Sequence, residues 1–385
     1  MQIHKKTVLI IVPTFSPNTG GVETHMDDLV RELDRLEWRV FVQSYSPITT
    51  QGVKWKPKEN FGNVSIRRYL WFGKTLLHRI EKLPFLDFLY ITPYLFLRVF
   101  IFCIFHHKEI DVIHAQGLNA AFIGKYLKII FKKKLIVSTH AVYEVNPQTR
   151  TAYFIHSILS SADKVLTLSK ASYKELVSFH INRENLFIYR YWVDLNSFKP
   201  LPNKKDLKMS FNIPDRFSVL FVGRLTELKG IKELVCSAER LPFINFIFIG
   251  NGPLDDDLRH NQKRTKNILF LGRKDNRELP FYYNIADIFC IPSQYEEGFG
   301  RVVIEAVACC LPVVGSNKGG LPEALDNTVS ILKDPTVDNL CSAITELYNN
   351  KKFYQRLKNN CRAYAEKYFG NKNAEQIIKY YGVKQ

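Results

Sequence analysis

The sequence predicts an α/β fold of two tandem, doubly wound Rossmann-like domains with a cleft between them. Three observations carry this. Apolar strand-like runs alternate with helical patterns along the chain, the mark of βαβ units and parallel sheets. At 385 residues the chain is too long for one ordinary core. A polar stretch from Ser197 to Asp215, containing Pro and Lys, separates two such series and reads as a linker. Ligands of such sheets bind outside the carboxyl ends of the strands.

The first series opens with a strand over Thr7–Val12, a loop from Pro13 to Gly21, a helix over Val22–Leu36 and a strand over Arg39–Gln43. Further strands are expected at Val64–Arg68, Asp111–Ala115, Leu135–Thr139, Lys164–Leu168 and Asn185–Tyr189. Between them, Phe85–Phe105 is a run of 21 residues whose only charges are Asp87 and Arg98. Its length could span a bilayer. However, Arg98 lies near its middle, at about 2.5–3.5 kcal/mol on insertion scales, and Pro93 breaks it to leave a helix of about 15 residues. The run therefore reads as a buried helix or as one docked on a membrane surface. The second series has strands at Ser218–Val222, Asn245–Ile249, Asn267–Leu271, Ile285–Ile291 and Pro312–Gly315, and residues 338–382 read as two or three polar helices.

Hydrophobic residues make up 46% of the chain and charged residues 24%, which excludes a disordered chain. A net charge of +17 predicts an anionic partner: nucleic acid, a phospholipid surface or a phosphorylated substrate. The seven cysteines lack ligand-like spacing and read as reduced, in a cytoplasmic compartment. Lys5-Lys6 precede an apolar run that Pro13 ends too early for a signal peptide, so it reads as the first strand. Residues 50–134 carry fifteen Lys or Arg against five Asp or Glu, with the densest cluster at Lys125, Lys128 and Lys132–Lys134. Basic residues beside an apolar helix suit an anionic lipid leaflet. No recognition-helix, zinc-finger or RNA-binding signature accompanies the charge.

Four segments stand at strand ends. Glu297-Gly298-Phe299-Gly300-Arg301-Val302-Val303-Ile304-Glu305 follows the apolar run Ala286–Pro292 and reads as a glycine loop entering a helix near Arg301. Its backbone N–H groups would favour an anion, while Glu297 and Glu305 could hold hydroxyls; diphosphate plus sugar hydroxyls describes a nucleotide sugar. Gly223-Arg224-Leu225-Thr226-Glu227-Leu228-Lys229-Gly230 leaves the first strand of the second domain, and Arg224 and Lys229 can close on a diphosphate. An isolated surface cation is usually just solvated; the strand-end position favours the site reading. Gly20-Gly21 in the first loop permits close backbone approach but is weak alone. His140, after Ser138-Thr139, would face the cleft, although a lone histidine is more often structural. Asp255-Asp256-Asp257 contains an Asp-x-Asp pattern, but it opens a helix and reads as first-turn acid complementing the dipole; no metal is expected.

Read together, Gly223-Arg224-Leu225-x-x-x-Lys229-Gly230, Gly250-Asn251-Gly252-Pro253, Pro292-Ser293 through Glu305-Ala306, Leu311-Pro312-Val313-Val314 and Gly319-Gly320-Leu321-Pro322-Glu323 resemble the retaining nucleotide-sugar glycosyltransferases of family 4. Gly20-Gly21-Val22-Glu23 and His114-Ala115 match the first half more loosely. The resemblance implies the GT-B fold, with an acceptor-side domain over residues 1–196, a nucleotide-sugar-binding domain over 197–365, and a C-terminal helix in 366–385 able to cross back to the first. It implies that Glu297 contacts the donor sugar and Glu305 the ribose, and that Arg224 and Lys229 neutralise the diphosphate. It further implies that amides at Gly298, Phe299, Gly300 and Arg301 complete the cradle beside Gly223, that Gly21 approaches the phosphates, and that His140 lies beside the transferred sugar. The chain departs from the family pattern at Tyr191-Trp192, Ala141 and Cys310, where glycine is usual.

The expected activity is metal-independent transfer of a hexose or N-acetylhexosamine from a UDP- or GDP-linked donor to a glycan or lipid-linked acceptor, with retention and without a further cofactor. It would occur at the inner face of the cell membrane, which residues 50–134 would contact. The rival readings are a nucleotide-sugar epimerase or hydrolase of the same fold and a basic nucleic-acid-binding protein.

Overall fold

The computed structural model describes residues 5–50, 52–73, 76, 84–140, 142–296 and 299–383. Ala141, Glu297 and Gly298 lie outside these. The chain divides into two compact units, Met1–Tyr189 with Lys372–Gln385, and Arg190–Asn371.

In the first unit the apolar run Thr7–Ile11 forms β1, buried at every position. Helix α1 (Gly21–Arg35) buries Met26, Leu29, Val30 and Leu33, one stripe at helical spacing. There follow β2 (Arg39–Tyr45), β3 (Lys58–Phe61), β4 (Val64–Tyr69), α2 (Pro84–His106), β5 (Val112–Gln116), α3 (Gly117–Phe131), β6 (Lys134–Ser138), α4 (Arg150–Leu159), β7 (Lys164–Thr167), α5 (Lys170–Ser178) and β8 (Leu186–Ile188). The sheet order is β3-β4-β2-β1-β5-β6-β7-β8. All pairs are parallel except β3 with β4. Strand order reverses between β1 and β5, the switch point of this sheet.

One strand was not expected and one expectation is corrected. Strand β3 has no apolar alternation and escapes a pattern reading; it pairs antiparallel with β4 across Gly62-Asn63, and Arg68 Nη1 reaches Glu59 at 2.8 Å. Helix α2 is not cut at Pro93 but runs unbroken from Pro84 to His106. An internal proline costs roughly 3 kcal/mol, but Ile91, Leu95, Val99 and Phe102 on both sides of it are buried in one core with Phe41 and Tyr45 of β2. Burying several such side chains, at about 1.5–3 kcal/mol each, outweighs the break.

The second unit contains α6 (Lys204–Ser210), β9 (Ser218–Val222), α7 (Ile231–Arg240), β10 (Asn245–Ile249), α8 (Asp255–Arg264), β11 (Ile268–Phe270), α9 (Leu279–Ile285), β12 (Ile288–Ile291), α10 (Arg301–Ala308), β13 (Val313–Ser316), α11 (Leu321–Ala324), β14 (Ser330–Lys333), α12 (Val337–Asn349) and α13 (Lys351–Tyr368). Its sheet is parallel throughout, in the order β11-β10-β9-β12-β13-β14, and reverses between β9 and β12.

The stretch 197–215 is not a free linker. Lys204 Nζ donates to Ala286 O at 2.6 Å and Asp287 Oδ1 at 2.5 Å, and Lys208 is buried beside it, donating to Arg216 O at 2.5 Å. Asp287 also accepts from Ser218 N at 2.8 Å. Composition reads lysines as solvated; here one half-buried carboxylate, Asp287, holds two of them, with Lys208 Nζ at 3.8 Å. Burial pushes the Lys204 amine down to about 8 against the opposing pull of Asp287. The division between units falls after Tyr189 because Tyr191 packs on Phe299, and Val193 N donates to Phe369 O at 3.1 Å.

The last helix, α14 (Lys372–Tyr381), belongs to the first unit. Tyr381 is buried against Trp38, and its hydroxyl lies 2.8 Å from Nδ1 of buried His114 on β5.

Candidate functional site

In the second unit the predicted residues gather at the switch point. Strand β9 runs into Gly223-Arg224 and strand β12 into Pro292-Ser293, so the two motif loops leave adjacent strands at the same edge. They are stitched together: Gln294 N donates to Leu228 O at 2.8 Å. Gly230 makes this closeness possible. Its φ is +71°, and a Cβ there would stand 2.0 Å from the carbonyl oxygen of Pro292. Lys229, half-buried, donates to Tyr295 Oη at 2.7 Å and sits 4.9 Å from that ring's centre. Arg224, on the same loop, is exposed.

The end of the second loop is pinned by Phe299, whose ring is buried against Tyr191 and Phe369. Gly300 then caps α10 in the left-handed region, φ +70°, so the helix begins at Arg301 with its first amides directed to the loop. The Arg301 side chain turns inward. Its Nε donates to Glu305 Oε1 at 2.9 Å and its Nη1 to Trp192 O at 3.3 Å, while Tyr283 Oη donates to Glu305 Oε2 at 2.9 Å. Arg301 and Glu305 are both buried. Burial, and then the Glu305 carboxylate, hold the Tyr283 phenol well above its usual range, so it stays a donor. Glu305 thus accepts from Arg301 at one oxygen and from Tyr283 at the other, two bonds that fix the direction of its carboxylate. Glu297 and Gly298 lie outside the described residues.

In the first unit, Gly21 is the exposed first residue of α1, behind the Gly20 cap. His140 follows β6, and its Nε2 lies 2.9 Å from Oε1 of Gln116, the last residue of β5. Its ring meets that of buried His25 edge-on at 6.1 Å, and Tyr189 Oη lies 3.5 Å from His25 Nε2. Burial pushes His140 down to about 4, so the imidazole is neutral near pH 7. With Gln116 accepting from Nε2–H, Nδ1 carries the lone pair. The first turn of α8 holds Asp255, whose Oδ1 accepts from Gly252 N at 2.6 Å, a capping role. Among the described residues, no three His, Cys, Asp or Glu side chains converge as a metal centre.

Comparison with known proteins decides the family. Residues 203–364 match the model of glycosyl transferases group 1, and residues 19–197 match that of glycosyltransferase family 4. The chain belongs to glycosyltransferase family 4. The family 4 relatives include a D-inositol 3-phosphate glycosyltransferase of Mycobacteroides abscessus, 35% identical over 207 residues, 50% of this chain and 46% of that one. A GDP-mannose-dependent alpha-(1-6)-phosphatidylinositol monomannoside mannosyltransferase of Mycolicibacterium smegmatis is 25% identical over 370 residues, 88% of each. The fold matches that of Anabaena HepE, crystallised with UDP and glucose, at TM-score 0.76 and 19% identity over 98% of this chain and 99% of the other. Both units thus have the Rossmann-like halves of a GT-B glycosyltransferase.

Four supporting residues of this family 4 site were missed from sequence. Tyr283 holds Glu305, and the Trp192 carbonyl holds its partner Arg301, from far off in the chain, while Tyr295 adjoins Lys229 only once β9 and β12 are neighbours. Gln116 alone had a signal: it ends the strand whose register sets it opposite Ser138, two residues before His140.

Proposed function

We propose that this glycosyltransferase moves a hexose or N-acetylhexosamine, with retention of configuration, from a UDP- or GDP-linked donor to a lipid-linked or glycan acceptor in glycolipid or cell-surface polysaccharide synthesis. One observation carries the reading. The loop bearing Gly223, Arg224 and Lys229 and the loop leading to Arg301 and Glu305 adjoin at the switch point of one parallel sheet, where such folds take nucleotides. Support for the donor class comes from relatives and neighbours whose names carry GDP-mannose or UDP, and for the acceptor class from the phosphatidylinositol mannoside named in one of them.

In this reading Arg224 and Lys229 stabilise charge growing on the departing diphosphate, the largest electrostatic contribution in group transfer, together with amides from Phe299 to Arg301. Glu305 holds the ribose hydroxyls and Glu297 orients the sugar. Gly21 lets backbone approach the donor phosphates, and neutral His140 accepts a hydrogen bond from the sugar. The C1–O bond to the diphosphate breaks and the C1–O bond to the acceptor forms on the same face. The acceptor hydroxyl's proton goes to the leaving phosphate, so neither a metal ion nor a dedicated base is needed. The enzyme works in the cytoplasm at the inner membrane face, meeting anionic lipid through the region 50–134.

The test is transfer from a panel of nucleotide sugars into membrane extracts, with products weighed by mass spectrometry. Arg224→Ala and Glu297→Ala are each expected to lower the rate at least about a hundredfold; near wild-type transfer by either refutes these roles. Isomerised or free sugar formed from donor alone as the sole product points instead to an epimerase or hydrolase.

A further inference from the structure

We propose that the outer face of α2, with the adjoining faces of α3 and α4, docks on an anionic lipid membrane, and that α2 lies along that surface without crossing it. The inference rests on the membrane-borne acceptor of the preceding reading and assigns the surface that meets the lipid.

Large exposed apolar side chains are unevenly spread. In the second unit Met209, Leu228 and Phe281 lie on separate elements, and Phe243 and Tyr348 form one ring pair at 5.1 Å, a scatter usual on protein surfaces. In the first unit they concentrate on three successive helices. Helix α2 exposes Phe85, Leu89, Leu97, Ile101, Ile104 and Phe105, with Phe85 73% and Phe105 76% exposed. Helix α3 adds Ile129, 64% exposed, and Ile130; α4 adds Tyr153. A helix packed on a sheet needs one apolar stripe, and α2 already has it in Ile91, Leu95, Val99 and Phe102. Its second stripe is unexplained by folding, and a patch of this extent marks a contact surface.

The helices lie side by side and run the same way: Phe88 meets Phe122 at 5.0 Å, Phe96 meets Tyr126 at 6.0 Å, and Phe100 meets Phe131 at 5.8 Å. Their C-terminal ends therefore meet, bringing Lys108 of the α2 end close to Lys132 and Lys133 beyond α3. The acids nearby are engaged: Glu109 binds Arg39 and His106, and Asp87 accepts from Asn119 at 3.3 Å. An apolar stripe with a lysine rim at one end matches the acyl boundary and anionic headgroups of a lipid leaflet. A second copy of the chain would bring another basic rim, whereas an anionic leaflet brings the opposite charge. Crossing the bilayer would tear α2 from the sheet, where Phe102 packs on Phe41 at 5.2 Å.

The test is flotation of the full chain with vesicles of phosphatidylcholine alone or doped with phosphatidylglycerol, beside its affinity for UDP and GDP in vesicle-free buffer. The wild type is expected to float with the anionic vesicles at low salt and to be released by alkaline carbonate. The exposed-site variants Ile101→Glu/Phe105→Glu/Ile129→Glu and Lys132→Glu/Lys133→Glu are each expected to lower partitioning roughly tenfold or more, with nucleotide affinity unchanged. Any of these results overturns the proposal: flotation of the apolar variant like wild type; carbonate-resistant wild type, which means a span; or no flotation, with or without a dimer that the apolar variant dissolves. Absent flotation with nucleotide binding intact defeats this proposal alone; absent nucleotide binding defeats the functional reading beneath it.

Discussion

Gly230 and Cys310 both occupy the left-handed backbone region, with φ +71° and +61°, and the sequence treats them oppositely. At Gly230 a side chain has no room, because the Pro292 carbonyl lies where Cβ would be. Gly230→Ala is expected to cost at least about 2 kcal/mol, read from the urea midpoint. Cys310 is a non-glycine residue at the end of α10, where the left-handed turn strains an L side chain by about 1 kcal/mol. Cys310→Gly relieves that strain against the greater chain entropy of glycine and is expected to gain about 0.5 kcal/mol in the same assay. Tyr283→Phe leaves Glu305 Oε2 without its 2.9 Å donor in a buried place, at about 1–3 kcal/mol of stability. Under the proposed role of Glu305 it also weakens nucleoside diphosphate binding, which calorimetry reads separately.

Among the elements, legibility followed local signal. Strands β1, β9 and β10 are continuous apolar runs and are readable to within a residue; the Gly-Phe-Gly entry to α10 is likewise written in neighbouring letters. What sequence reading lost was decided by distant partners. Pro93 reads as a break because the sheet that holds α2 is not visible locally, and α6 reads as a linker because Asp287 lies far along the chain. In the candidate site, the strand-end positions of Arg224 and Lys229 and the helix start at Arg301 were legible, and Glu297 and Gly298 lie outside the described residues, while Tyr283, Trp192 and Tyr295 were not legible, since each matters only after distant segments become neighbours. Helix α14 owes its place in the first unit to the same kind of contact, Tyr381 on His114. Burial pushes His114 down to about 3, whereas an unfolded histidine titrates near 6.5. Unfolding therefore takes up a proton in that window, and the stability is full above about pH 6.5 and is lost as pH falls. Between pH 6.5 and 5 the wild type is expected to lose up to about 1.4 kcal/mol per pH unit through His114, and His114→Asn to remove that share of the slope in urea titrations while buried His140, pushed down to about 4, keeps its own.

At the scale of the molecule, a net charge of +17 spoke only of an anionic partner, and the structure distributes that demand over two surfaces: the switch-point loops of the second unit and the lysine-rimmed apolar face of the first. The proposed transfer depends on the former. Its most direct measurement is calorimetric titration of UDP and GDP into the full chain and into Arg224→Ala/Lys229→Ala. The account predicts binding of at least one nucleotide by the wild type and an affinity at least about a hundredfold lower in the double variant, since charge-assisted contacts contribute about 1.5–3 kcal/mol each. Equal affinity in the two proteins, or no nucleotide binding by the wild type, contradicts it.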